Sequence, residues 1–259
     1  MIAEIYFCKG LVLPAACLLT SFASMLPELS QKKRFVRQKF SRVTRRYDLV
    51  NTLGSFGLDH WWRYRLVQKI GSYTGPILDL CAGTLTLAKE IVRQRPRPVI
   101  ALDITLEMLA YGKFRLASHP ATSFIFLVQG DAENLPFPKE IFSAVTVAFG
   151  IRNLPHPDRC FTEVFRVLKP GGKFVILEFS RPKTPIFASL YRFYLFHFMP
   201  LLGGSLTGDR EAYEYLARSI ESFPSPREIC YSLEAAGFRE VNFENLTFGV
   251  VSIYQASKI

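Results

Sequence analysis

Cysteine is scarce in this chain and poorly placed for chemistry: Cys8, Cys17, Cys81, Cys160 and Cys230 are odd in number, scattered, and form no C-x-x-C pair. Neither a zinc site nor a disulfide framework is indicated, and a reducing cytoplasm fits best. Repeats and low-complexity tracts are missing too. The 259 residues, 49% of them hydrophobic, are therefore expected to bury one sizeable core in a single domain. Acids are missing from one particular stretch. Between Gln31 and Arg46 stand eight basic residues (Lys32, Lys33, Arg34, Arg37, Lys39, Arg42, Arg45, Arg46) and no Asp or Glu, which accounts for most of the net charge of +10. A solvated helix face is the plain reading of such a run. The functional one is a patch docking on anionic lipid headgroups, where each side chain is worth about 1 kcal/mol near the surface.

Long apolar runs are short in supply as well. The stretch from Gly10 to Ala23 is almost free of polar groups, but it is too short for a membrane span, and Glu4 with a single Lys9 makes a poor positive leader. Residues 1–30 read as an apolar N-terminal extension, with a start at Met25 or a signal segment as the competing readings, and residues 31–259 as one domain.

Glycine is lacking at the turn that matters most. Pro76-Ile-Leu-Asp-Leu-Cys-Ala-Gly-Thr-Leu-Thr-Leu87 reads as a first strand, a binding turn and a first helix, the place where open α/β sheets hold ligands. A pyrophosphate needs G-x-G-x-x-G so that backbone can approach it. Here Gly83 stands alone between Ala82 and Thr84, and Asp79 adds a carboxylate that would repel phosphate. Both features argue against a dinucleotide and for a nucleoside-type cofactor with a cationic or zwitterionic tail.

What is present from Pro76 onward is a regular alternation. Strands are expected at Ile77–Leu80, 99–102, 124–128, 142–149 and 174–177, and helices at 84–95, 105–116 (capped by Thr105) and 156–168, the last stopped by Lys169-Pro-Gly-Gly172. Such β-α-β units predict a mostly parallel, doubly wound α/β sheet with helices on both faces. The rhythm breaks at an insertion of about 182–224, which carries more apolar surface than one helix face can bury. It reads either as a helical pair on the sheet edge or as a greasy lid over a long apolar substrate. A helix at 225–236 and strands at 241–246 and 250–256 close the chain. Upstream, Tyr47–Trp62, rich in aromatics and broken by Gly54 and Gly57, is a further candidate lid.

Asp79, Asp103 and Asp131 each follow a strand, which sets three carboxylates on one edge of the sheet. Asp103 lies 24 residues beyond Asp79, close to the spacing at which an acid meets ribose hydroxyls in nucleoside-binding α/β folds. Asp131 would then lie near the base.

The chain from about Val36 to Ser257 resembles the quinone-biosynthesis C-methyltransferases, the ubiquinone/menaquinone methyltransferase family. The matching segments include Val36-Arg-Gln-Lys-Phe40, Tyr47-Asp-Leu-Val-Asn51, Ser55-Phe-Gly57, Asp131-Ala-Glu-Asn-Leu-Pro-Phe-Pro138, Phe149-Gly-Ile-Arg-Asn153, Arg166-Val-Leu-Lys-Pro-Gly-Gly172, Leu177-Glu-Phe-Ser180, Tyr213-Glu-Tyr-Leu-Ala-Arg-Ser-Ile220 and Ala236-Gly-Phe238. Arg166–Gly172 is common to many class I methyltransferases, whereas Phe149–Asn153 with Tyr213–Ile220 is specific. The resemblance implies a Rossmann-like class I methyltransferase, strand order 3-2-1-4-5-7-6, that binds S-adenosyl-L-methionine. It implies cofactor-binding roles for Asp79, Gly83 and Thr84 in the loop, Asp103 at the ribose, and Asp131 with Ala132 at the adenine. Two departures stand out. The family often has a hydroxyl residue where this chain has Ala148, and the family loop G-G-T-G-D reads Ala82-Gly83-Thr84-Leu85-Thr86.

The reaction so implied is methylation of a prenylated demethylquinol on carbon, demethylmenaquinol to menaquinol, with the ubiquinone step as the alternative. Deprotonating the ring hydroxyl pushes electron density onto the neighbouring carbon. Arg152 cannot be the base, since guanidinium stays protonated. It is expected to stabilise the phenolate, with Asn153 orienting the same oxygen. Tyr194 and His197 in the insertion are the weaker candidates for the base. The expected partners are the quinol and, peripherally, the inner face of an anionic membrane, with a homo-oligomer or a quinone-biosynthesis complex left open. Neither a metal nor nucleic acid is expected: the basic residues precede the lid and do not flank the strand-end crevice. A non-catalytic scaffold with a degenerate loop is the reading of a different class.

Overall fold

The computed structural model describes residues 27–72 and 74–259. The readings made for the first 26 residues lie outside the described ones. Two long helices open the described chain, α1 (Leu29–Gly54) and α2 (Leu58–Lys69), where the aromatic segment was expected to form a lid. They are separated by a tight turn in which Phe56 (φ 53°) and Gly57 (φ 79°) take left-handed backbone angles.

Seven strands follow in one sheet: β1 (Ile77–Leu80), β2 (Val99–Asp103), β3 (Ile125–Gln129), β4 (Phe142–Ala148), β5 (Leu168–Phe179), β6 (Arg239–Leu246) and β7 (Val251–Ser257). Their order is β3-β2-β1-β4-β5-β7-β6. The first five strands pair in parallel, and β7 runs antiparallel between β5 and β6. The doubly wound α/β sheet and the strand order are those expected. Successive strand residues serve opposite faces: Ile77, Val99, Ala101 and Val175 pack on one side, Leu78, Leu80, Leu102 and Val145 on the other. Such strands, buried on both sides, read as continuous apolar runs.

Helices α3 (Thr86–Gln94) and α4 (Leu106–Arg115) join α2 on the first face, and α5 (Pro157–Val167) covers the second. The insertion contributes three helices where a pair was one expectation: α6 (Pro185–Phe193), α7 (Met199–Thr207) and α8 (Arg210–Glu221). A π turn, Tyr194–Phe198, joins the first two, and Pro200, with no N–H to donate, sits at the start of α7. The last helix, α9 (Pro226–Ala235), begins with a Ser225/Glu228 capping box.

Two local expectations change. Thr105 caps α4 with no side-chain hydrogen bond; its backbone N–H instead donates to Asp103 Oδ1 at 2.8 Å. Lys169-Pro-Gly-Gly172 does follow the end of α5, at Val167, but the strand expected from 174 starts ahead of it. β5 begins at Leu168, opposite Phe142, and resumes at Lys173, opposite Ala144, so the breaker bulges out of a strand that continues.

α1 lies across the carboxyl ends of the strands, burying Val36, Val43 and Val50 at seven-residue spacing. Its basic run is divided. Lys32 donates to the carbonyls of Arg152 and Leu154, Lys33 pairs with Asp131 and Glu133, Lys39 with Asp209 and Glu211, and Arg46 donates to the Leu206 carbonyl. Arg34, Arg37, Arg42 and Arg45 stay exposed. Half of the presumed surface patch therefore straps α1 to the domain. Among the described residues no helix is long and apolar enough to cross a membrane.

Candidate active site

The chain leaves β1 through a strained turn. Cys81 (φ 51°), Gly83 (φ 53°) and Leu85 (φ 65°) all take left-handed angles, a region that costs an L-residue roughly 1–2 kcal/mol. The turn bends sharply enough to aim backbone N–H groups at the strand ends, and the Gly83 N–H donates to Asp103 Oδ2 at 2.9 Å. Leu85 takes its angle at a cost that burial offsets: it is 2% exposed and packs over Gly112, where even a Cβ would meet Leu85 Cγ at 2.6 Å. The side chain lies on the α4 and β3 side and does not line the cavity in front of the turn.

That cavity, about 950 Å³, is lined by Asp79, Gly83, Thr84, Asp103, Asp131 and Ala132 among others. All six residues expected to hold the cofactor are thus brought together. Asp79 is fully buried, with Oδ1 accepting from Thr146 Oγ1 at 2.9 Å and Oδ2 without any partner. Burial pushes its carboxyl up to about 7, opposed by the Thr146 hydrogen bond and the Arg63 charge. An orphaned carboxylate oxygen in a cavity is a seat for a cation or a strong donor. Burial also raises Asp103, against backbone N–H bonds from Thr105, Gly83 and Ile104. Asp131, at the rim, already holds Lys33 at 2.6 Å. Thr84 Oγ1 donates to Asp48 Oδ1 of α1 at 2.6 Å, and Thr86 Oγ1 lies 3.4 Å from the same oxygen.

A second cavity, about 940 Å³ and mostly apolar, opens between α1, α2 and the inserted helices. Trp62, Phe149 and Phe179 form an aromatic cluster with centroid separations of 4.5–6.2 Å, and Trp62 is fixed by donating to Thr247 Oγ1. The two cavities share a wall: Phe40, Tyr47, Arg63, Phe149 and Asn153 line both. A compact polar ligand in the first cavity and an apolar one in the second would meet across it.

Arg152 lines the apolar cavity from the turn after β4. Its Nη1 donates to Glu178 Oε1 at 2.7 Å and to the Phe149 carbonyl, and its own N–H reaches Glu178 Oε2. Glu178 is wholly buried, and its charge holds the guanidinium protonated more firmly against the effect of burial. Asn153 lies beside it, its Nδ2 3.4 Å from the Phe149 carbonyl and its Oδ1 accepting from Tyr215.

The model of the ubiE/COQ5 methyltransferase family matches residues 28–258. The chain belongs to this family. It is 40% identical over 245 residues to the ubiquinone/menaquinone biosynthesis C-methyltransferase UbiE of Rickettsia felis, covering 93% of this chain and 99% of that one. The UbiE of Geobacter sulfurreducens is 40% identical over 233 residues, covering 89% and 91%. Among solved structures, phosphoethanolamine N-methyltransferase 2 of Haemonchus contortus in complex with S-adenosyl-L-methionine aligns with a TM-score of 0.56 at 15% identity, over 76% of this chain and 52% of that one, so this chain spans about half of the worm enzyme. A SAM-dependent methyltransferase from Aquifex aeolicus aligns with a TM-score of 0.56 at 17% identity, over 82% and 98%. These likenesses show the fold. As a ubiE/COQ5 methyltransferase, the protein is an S-adenosylmethionine-dependent C-methyltransferase, and the partnerless Asp79 oxygen fits a cofactor that carries an ammonium group.

Within this family member the weaker candidates separate. Tyr194 lines the apolar cavity, but its hydroxyl donates to the Gly54 carbonyl and to Met199 Sδ. His197 is exposed, edge-on to Phe193, and lines neither cavity. It projects from the outer side of the π turn, which corrects its candidacy as a base. Ala148 lines the cofactor cavity and contributes no polar atom. Asp48, Asp59 and Arg63 line these cavities and carried no individual role in the sequence reading; the i,i+4 spacing of Asp59 and Arg63 was the available signal, and it is shared by countless solvated helices.

Proposed function

We propose that this methyltransferase methylates a prenylated demethylquinol on ring carbon, the naphthoquinol of menaquinone biosynthesis in preference to the benzoquinol of the ubiquinone step. The observation that carries the reading is the shared wall between a carboxylate-lined cavity and an aromatic, mostly apolar one. A fused bicyclic ring suits the surfaces of Trp62, Phe149 and Phe179, which offer area and few hydrogen bonds.

S-adenosylmethionine, when bound, supplies an electrophilic methyl group. The chain's own residues position and dry the site. Asp79 would hold the cofactor's ammonium, Asp103 its ribose hydroxyls, and Asp131 with Ala132 its adenine, while Gly83 and Thr84 shape the loop against it. Tyr47 and Phe40 from α1 close the roof over both cavities and exclude water, which strengthens every electrostatic contact inside. Arg152 and Arg63 place positive charge beside the quinol oxygen, and Asn153 orients it. Positioning in a dry site is most of what such a methyl transfer needs.

Exposed side chains of two kinds support the reading of peripheral membrane docking. Leu190, Phe193, Phe198 and Leu201 of the insertion are exposed, and Arg34, Arg37, Arg42 and Arg45 line the outer side of α1. The exposed arginines suit anionic headgroups, and the apolar side chains suit the acyl boundary from which a prenyl tail would be drawn. Quinone extraction from cells lacking the protein tests the function. A naphthoquinone one methyl short should accumulate, and an unchanged quinone pool would refute the reading.

A further inference from the structure

The apolar cavity has to take a proton from its substrate, and few of its groups can accept one. Arginines stay protonated, which removes Arg63 and Arg152. Lys39 is already held by Asp209 and Glu211. Burial pushes the tyrosines upward: Tyr194 and Tyr215 to about 12, Tyr47, Tyr191 and Tyr213 in the same direction. None of them is a phenolate near neutral pH. Glu178, the partner of Arg152, does not line the cavity.

Among the residues lining this cavity one carboxylate remains, Asp59. It sits in the first turn of α2 and is 4% exposed. Oδ1 accepts from Ser55 Oγ at 3.2 Å, and Oδ2 pairs with Arg63 Nη1 at 2.7 Å. Asp59, Trp62, Arg63 and Leu66 fall at positions i, i+3, i+4 and i+7, so the ion pair shares the buried stripe of α2 with the aromatic wall. Arg63 lines both cavities and lies over the Phe149 ring at 5.5 Å. The pair therefore stands beside the shared wall. His60 of the same helix also approaches Asp59, its Nε2 3.9 Å away on the exposed side.

We infer that Asp59 is the general base of the reaction and that Arg63 is the fixed cation that faces the negative charge before and after it passes to the substrate. This rests on the quinol reading above. The quinol O–H bond breaks, its proton passes to the Asp59 carboxylate, and the electron pair stays on the quinol oxygen. The negative charge moves from Asp59 to the substrate while Arg63 keeps a partner throughout. No net charge is created in a low-dielectric site, where an isolated phenolate would be very costly. The methylated ring then leaves as its neutral keto tautomer, which shifts its ring-carbon hydrogen to the oxygen in bulk water, and Asp59 gives its proton to solvent once the site empties, so the base is regenerated and one H⁺ is released per methyl transferred.

The test is the pH dependence of turnover, measured on the full chain with a reduced demethylnaphthoquinol, beside S-adenosylhomocysteine affinity and thermal unfolding. Asp59→Asn should lower kcat by about 100-fold or more near neutral pH, within the range of general base catalysis. Its residual rate should climb about tenfold per pH unit, because only substrate already ionised in solution then reacts. Cofactor-product affinity should stay within about twofold, and Asp59→Glu should recover most of the rate. A neutral variant with near-normal turnover overturns the inference. So does a loss that leaves the wild-type pH slope and tracks the fraction of unfolded protein, since that marks Asp59 as a residue that only pairs with Arg63 and Ser55. If the wild-type chain methylates no quinol, the substrate reading fails first, and the two failures are separable.

Discussion

Asp79 should make cofactor binding depend on pH in a calculable way. Its carboxyl is raised by burial to about 7, and its Oδ2 has no partner. A ligand ammonium placed there binds the ionised form. With a free-site value near 7, the ionised fraction falls from about three-quarters at pH 7.5 to roughly 3% at pH 5.5, so S-adenosylhomocysteine should bind about 25-fold more weakly at the lower pH. The sign is opposite for the ligand-free fold. The folded value lies above the unfolded value near 3.9, so the folded state holds the extra proton between about pH 4 and 7, and stability falls as pH rises through that window, by up to roughly 4 kcal/mol. Asp79→Asn keeps the shape and removes the charge. It should raise the melting temperature of the ligand-free protein at pH 8 and weaken S-adenosylhomocysteine by about 10- to 100-fold at pH 7.5, the worth of a charged hydrogen bond. Isothermal titration at the two pH values and thermal scans of both proteins measure all of this. Affinity that is flat with pH, or a variant that binds like the wild type, refutes the reasoning; any slope left in the variant belongs to Asp103, which is raised in the same direction.

Other outcomes follow from the same geometry. Leu85→Gly relieves a left-handed angle worth roughly 1–2 kcal/mol but empties a buried site worth about 2–5, so chemical denaturation should show a net loss of stability with cofactor binding retained. Asp48→Ala and Thr84→Val should each weaken S-adenosylhomocysteine, and the double variant should be no weaker than the worse single one, because both remove the hydrogen bond from Thr84 Oγ1 to Asp48 Oδ1; additive losses in titration would contradict this. Arg152→Ala leaves Glu178 buried without its cation and should destabilise the fold by about 3–5 kcal/mol, whereas Arg152→Ala with Glu178→Gln should restore stability without restoring turnover, read by denaturation and initial rates. His197→Ala should leave turnover unchanged.

Much of the fold was legible because strand burial writes itself as apolar runs, the first three of them with an acid at or near the carboxyl end. Asp79, Asp103 and Asp131 stood out for that reason, and their convergence on one cavity follows from parallel strands sharing one carboxyl edge. The missing loop glycine was legible as a departure but not its resolution, since the answer lies in Gly112 on another helix making room for Leu85. Partners distant in sequence were invisible in the same way. Nothing in Lys33 or Lys39 announces that they reach Asp131 and Asp209, so a basic run read as surface became in part a clamp. The buried pairing of Arg152 with Glu178 and the placing of Asp59 beside Arg63 depend on how helices cross the sheet edge, which periodicity does not encode.

The account turns on two ligands meeting across the wall formed by Phe40, Tyr47, Arg63, Phe149 and Asn153. The most direct measurement is methyl transfer from isotopically labelled S-adenosylmethionine to a prenylated demethylnaphthoquinol by the purified protein, followed by mass analysis of the quinone. The label should appear as one methyl group on ring carbon, with the reduced substrate only and at a higher rate than with the corresponding benzoquinol. Recovery of an unlabelled ring, with the cofactor bound and intact, would contradict the account.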